Sequence, residues 1–60
     1  MKVRTIIDKE NGKKWDIYKG TDELYSVIYS EYFSSCGWRE MWDDINYTKE
    51  AIELWFDIKL

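Results

Sequence analysis

The chain has 60 residues, a net charge of −3, one cysteine and no histidine. A chain this short buries only about 60% of the surface its unfolded form exposes, so residues 1–60 read as one small domain whose marginal core invites a partner or a second copy. The missing histidine removes the commonest general base and metal ligand, three glycines leave little from which to build a phosphate loop, and the lone Cys36 excludes an intrachain disulfide, so we expect a binding protein without catalysis, metal or cofactor.

Lys2 to Asp8 reads as a strand through Val3, Thr5, Ile6 and Ile7, and Lys13 to Lys19 as its partner through Trp15, Ile17 and Tyr18. Asn11-Gly12 between them is a hairpin signal, because a type I′ turn needs positive φ at both central positions. As a two-residue turn it sets Glu10 against Lys13 and Ile6 against Ile17. It also sets Lys9 against Lys14, which keeps a longer loop open.

Gly20 ends the second strand, and Thr21 or Asp22 can cap a helix with Glu23 in its first turn. Leu24, Val27 and Ile28, at i, i+3 and i+4, form its core stripe. The abundance of aromatic and branched residues makes a strand the competing reading, while Thr21 and a stop at Gly37 favour the helix. On that helix Tyr25, Tyr29 and Phe33 make a second stripe that the sheet cannot also cover. Trp38, Met41, Trp42 and Ile45 repeat at helical spacing and predict a second helix, closed by Asn46, with Glu40, Asp43 and Asp44 outward.

Thr48 to Ala51 can add a helical turn. Ile52, Leu54, Phe56, Ile58 and Leu60 then alternate with Glu53, Trp55, Asp57 and Lys59, which predicts a closing half-buried strand, with a helix running through Trp55 as the alternative. The expected class is α+β: a three-stranded antiparallel sheet, in chain order strand-strand-helix-helix-strand, with helices on one face. The other face would carry Trp55 and Tyr18 as a homodimer surface.

Charge is divided along the chain. Residues 1–20 hold six Lys/Arg against three acids, and residues 21–60 hold three against nine. The acidic body disfavours nucleic acid as the ligand and favours a basic protein surface, although a merely solvated acidic face produces the same pattern. No apolar stretch approaches the roughly 20 residues needed to cross a bilayer, and no charged leader with an apolar run opens the chain, so a cytoplasmic protein that does not enter membranes is expected.

Three stretches carry a resemblance. The hairpin from Asn11-Gly12-Lys13 to Tyr18-Lys19-Gly20, the run Tyr25-Ser26-Val27-Ile28-Tyr29, and Thr48 to Leu60 with Glu50, Ile52, Leu54, Asp57 and Leu60 in step together resemble the small acidic uracil-DNA glycosylase inhibitors of phi29-like Bacillus phages. Ser30 to Ile45 is an insertion relative to that family, either helix or strand. Ser26 stands where the family has a glutamate, a place Glu23 fills only if it faces the same side.

The resemblance implies a phage-type inhibitor acting in the host cytoplasm as a homodimer that mimics DNA. Carboxylates would stand in for phosphates, and an aromatic groove would receive the apolar side chain with which the glycosylase probes the duplex. Such a target must expose a basic DNA-binding surface, which an acidic rim complements. The corresponding groove candidates are Tyr25 and Tyr29, the phosphate candidates are Glu23, Glu40, Asp43 and Asp44, and Ser26 and Phe33 join them as partner-binding positions. Each has an ordinary alternative: packing beneath the Trp38–Trp42 helix for the aromatics, solubilising surface for the acids. The alternative function is a regulatory or structural interaction module that self-associates or docks on another bacterial protein.

Overall fold

The computed structural model describes Met1 to Leu60. Strands β1 (Lys2–Asp8), β2 (Lys13–Lys19), β3 (Tyr25–Phe33) and β4 (Gly37–Tyr47) precede one helix, α1 (Lys49–Phe56). Each strand pairs antiparallel with its sequence neighbour, giving one sheet in the order β1-β2-β3-β4. The expected three-stranded sheet with two helices is therefore overturned in three places: both helices are strands, and the closing strand is a helix.

The first correction falls on β3. A spacing of four satisfies both periods, so Tyr25, Tyr29 and Phe33 lie on one side of a strand as readily as on one side of a helix. The run Tyr-Ser-Val-Ile-Tyr-Ser-Glu-Tyr-Phe is dominated by residues that fit a pleated surface, and Tyr25, Val27 and Tyr29 are all buried on one face. Thr21 and Asp22 cap nothing. Glu23 takes a left-handed φ of 60° and the Gly20 amide donates to the Leu24 carbonyl at 2.8 Å, so this segment turns the chain into β3.

In β4 the helical spacing of Trp38, Met41, Trp42 and Ile45 arises from two bulges. The register with β3 changes between Tyr29 and Ser30, leaving Met41 unmatched, and again between Tyr25 and Val27, next to Asn46 at φ 71°. The first bulge places Trp38, opposite Tyr32, and Trp42, opposite Tyr29, on different faces. Gly37 stops no helix. It sits at φ 80° opposite Phe33, and the Cys36 amide donates to the Phe33 carbonyl at 3.2 Å, which is the arrangement of a three-residue hairpin loop with a left-handed closing residue.

The β1–β2 hairpin uses the longer loop. Asp8 pairs with Lys13 and Ile6 with Trp15, so four residues turn the chain, and the two-residue register at Asn11-Gly12 is not the one adopted. The Asn11 side-chain amide donates to an Asp8 carboxylate oxygen at 2.8 Å, which holds that carboxyl below its ordinary pKa. Gly12 supplies the left-handed φ of 63°, and its carbonyl accepts from the Tyr32 amide at 2.9 Å.

Helix α1 begins at Thr48, whose hydroxyl accepts from the Ala51 amide at 3.1 Å, with Glu50 in the first turn. It ends at left-handed Asp57, where the Ile58 amide donates back to the Glu53 carbonyl at 3.1 Å. The apolar alternation over 52–60 is thus split. Ile52 and Phe56 share the helix face that meets the sheet, Leu54 is 85% exposed, and Ile58 and Leu60 reach the core from the extended tail.

The core lies between α1 and one sheet face, where Ile17, Val27 and Ile52 are fully buried, with Tyr25 beside them. Each of the three aliphatic side chains contributes about 1.5–3 kcal/mol by leaving water. On the opposite face nothing covers the sheet. There Asp16 is buried among its neighbours, accepting from the Thr5 hydroxyl at 2.7 Å with Lys2 at 3.4 Å. No helix is long and apolar enough to cross a membrane.

Candidate partner-binding surface

A chain of aromatic rings runs across the covered face from the interior to the surface. Trp15 lies 5.4 Å from Tyr29, Tyr29 lies 5.3 Å from Trp42, and Trp42 stacks on Trp55 at 6.3 Å with the planes 6° apart. The circuit closes through Phe56, 4.5 Å from Trp55 and 5.8 Å from Trp15. Tyr47 adds a further contact to Trp55 at 5.4 Å. Ring pairs at such separations contribute about 0.5–1.5 kcal/mol beyond their buried area, so this circuit fastens α1 to β2, β3 and β4.

The circuit opens to solvent along β4. Tyr29 is 9% exposed, whereas Trp42 and Trp55 are 38% and 45% exposed. Beside them the Tyr47 hydroxyl donates to Asp44 at 3.0 Å, and the other Asp44 oxygen accepts from the Ile45 amide at 2.9 Å. Burial first, and then this bond and the Asp44 charge, push the Tyr47 phenol pKa up. Asp44 is thereby fixed next to a half-exposed indole pair. Deeper in, Tyr29 donates to Glu31 at 2.6 Å, and that bond, with burial and the Glu31 charge, pushes its phenol up to about 12.

The acids of β4 lie along one sheet edge. Glu40 and Asp43, opposite Ser30 and Ile28, belong to the uncovered face, and Asp44, opposite Val27, to the α1 side. Exposed Trp38, Met41, Trp42 and Ile45 alternate with them. Trp38 also packs edge-on against Tyr32 at 5.5 Å, under the Lys14 ammonium at 4.8 Å. As the last strand of the sheet, β4 leaves one side of its backbone unpaired.

The structure brings together two sets of the sequence-predicted residues and scatters the rest. Glu40, Asp43 and Asp44 share the β4 edge. Tyr25 and Tyr29 share a face, but it is the face α1 covers, so no open groove exists between them. Phe33 is exposed at the far end of β3, Ser26 is half-buried on the uncovered face, and Glu23 lies in the β2–β3 turn, within 3.6 Å of Lys19. Tyr18, opposite Ser26, and Trp55, on α1, lie on opposite sides of the sheet and are not brought into one surface.

Sequence reasoning assigned Trp38, Met41, Trp42 and Ile45 to the core side of a helix and so missed them as surface. The available signal was four large apolar residues interleaved with Arg39, Glu40, Asp43 and Asp44 in a stretch holding neither clean period. No group of three or more Cys, Asp or Glu is placed to hold a metal ion.

The fold and this edge define the class: a mostly-β protein, a four-stranded antiparallel meander with one helix on one face and an acidic, aromatic edge strand. Compared with protein-family models, with curated proteins and with solved structures, the chain matches none.

Proposed function

We propose that this chain is a phage-type inhibitor that docks on the basic DNA-binding surface of a host enzyme, uracil-DNA glycosylase first, in the host cytoplasm and without chemistry of its own. The observation that carries the reading is the β4 edge, where Asp44 lies on the same side of the sheet as exposed Trp42 and its stacked neighbour Trp55, and Glu40 and Asp43 line the other side of the same strand. A surface evolved to hold DNA offers cations spaced for phosphates, which carboxylates on both sides of one strand can meet. Charge then steers the encounter, and desolvated indoles supply most of the affinity. The aromatic contact moves from the expected Tyr25–Tyr29 groove to the Trp42–Trp55 pair. The choice of glycosylase rests on the resemblance at residues 11–20, 25–29 and 48–60.

Adding the protein to a uracil-excision assay tests this. Loss of excision that Trp42→Ala removes supports it, and full excision at a large molar excess of inhibitor rejects it. A second reading has its own support in the unpaired backbone of β4: a module that self-associates along this edge or adds it to a sheet of another bacterial protein. Sedimentation that finds only monomer at micromolar concentration rejects the self-associating form.

A further inference from the structure

At the other side of the sheet the charge reverses. A cleft of about 440 Å³ lies among the start of β1, the end of β2, the start of α1 and the C-terminal tail, and Arg4, Lys19, Lys49 and Lys59 line it. These are four of the nine Lys and Arg residues in the chain, and no Asp or Glu side chain lines the cleft with them. The molecule has two ion pairs, Lys2 with Asp16 and Lys19 with Glu23, so Arg4, Lys49 and Lys59 have no carboxylate within ion-pair distance. Arg4 donates one guanidinium nitrogen to the Lys59 carbonyl at 2.8 Å, which fixes the fork at the cleft wall and leaves its other donors free.

We propose that this cleft binds an organic phosphate of about nucleotide size. Arg4, Lys49 and Lys59 come from three separate segments without a carboxylate partner, and Lys19 is shared with Glu23. Leu60 brings the one anionic group of the lining, so the concavity stays net positive and focuses a field that a bound anion relieves. A guanidinium fork beside mobile ammonium groups is the donor set that suits phosphate oxygens. The volume falls in the range of about 300–1,000 Å³ usual for small-molecule sites. Val3 and Tyr25 add an apolar wall against which an organic ring can rest. A second, smaller cleft of about 210 Å³ between the β2–β3 turn and the Ile45–Asn46 bulge carries Asp22 and no basic residue, and serves as an internal control.

The test is titration of the intact, isotope-labelled chain with ADP, adenosine and a short single-stranded oligonucleotide, followed by amide chemical shifts at low salt. ADP is expected to give saturable shifts at Arg4, Lys19, Lys49 and Lys59 and none around Asp22, with adenosine about tenfold weaker or more. The Lys49→Gln/Lys59→Gln double variant should weaken ADP binding about tenfold. Its circular dichroism should not change, since neither side chain makes an internal hydrogen bond or ion pair. The proposal is overturned by an absence of saturable shifts, by equal binding of adenosine and ADP, or by unaltered binding in the double variant. Shifts with the oligonucleotide alone would also overturn it, and would mark the cleft as a nucleic-acid groove.

Discussion

The two outer strands of the sheet, β1 and β4, meet solvent in opposite ways. β1 borders a concave, basic cleft whose wall the tail completes through the Arg4–Lys59 bond. β4 is an exposed edge strand in which acids alternate with Trp38, Met41, Trp42 and Ile45. A long exposed edge strand with apolar side chains is an aggregation hazard that bulges and charges ordinarily blunt, and β4 has both. The two bulges interrupt the regular backbone ladder, so the edge suits a partner recognised by side chains better than any passing strand. The two proposals divide accordingly, a small anion for the first region and a macromolecular partner for the second.

Helix α1 underlies both regions, and removing its anchor should abolish the contrast. Ile52→Ala opens a cavity among Ile17, Tyr25 and Val27, and a loss of about 2–5 kcal/mol in urea unfolding is expected, enough to unfold a domain this small. Trp55→Ala separates the regions instead. Truncating a ring at the centre of the exposed aromatic pair should weaken partner binding by about 2–4 kcal/mol in the excision assay while leaving the shifts ADP induces at Lys49 and Lys59 in place. Equal loss at both regions would mean that Trp55 only props the fold.

Smaller changes sharpen the comparison. Thr48→Ala removes the helix cap and should cost about 1 kcal/mol in chemical denaturation, affecting both regions in proportion. Asp44→Asn should change partner affinity by only about 0.2–1 kcal/mol while reducing the association rate and its salt dependence, because an exposed charge steers more than it holds. Last comes an effect absent at neutral pH. The Tyr29 phenol titrates at about 12 in the folded chain against an ordinary 10.0, so the native state favours the protonated form. Its contribution to stability is complete below pH 10 and is lost as pH rises toward 12. Following the urea midpoint across that interval checks the sign, and Glu31→Gln should shrink the loss by removing the negative charge that opposes phenolate formation, even though the amide oxygen can still accept.

The first two strands were legible because Val3 to Ile7 and Trp15 to Tyr18 are unambiguous in type and a turn signal stands between them. The acidic β4 residues were legible as charges, but their assembly on one edge was not, since that depends on strand order. Tyr25 and Tyr29 were recognised as a pair on one side of the chain, yet whether that side is open depended on what packs there.

The sequence by itself determined the composition-bound properties: a small core, an acidic body with a basic first third, and the absence of a histidine-based site. It also determined that β1 and β2 form a hairpin, because strand propensity on both sides of a turn signal agrees there, although the loop length and register were decided by the fold. Only the tertiary structure decided the rest. A spacing of four is common to both periods, so Tyr25, Tyr29 and Phe33 could not choose between helix and strand, and the bulges of β4 disguise a strand as a helix by shifting side chains across faces. Ile52 to Phe56 became a helix because Thr48 caps it and the sheet face of Ile17 and Val27 had to be buried. That choice closed the expected groove and left Trp42 and Trp55 at the surface.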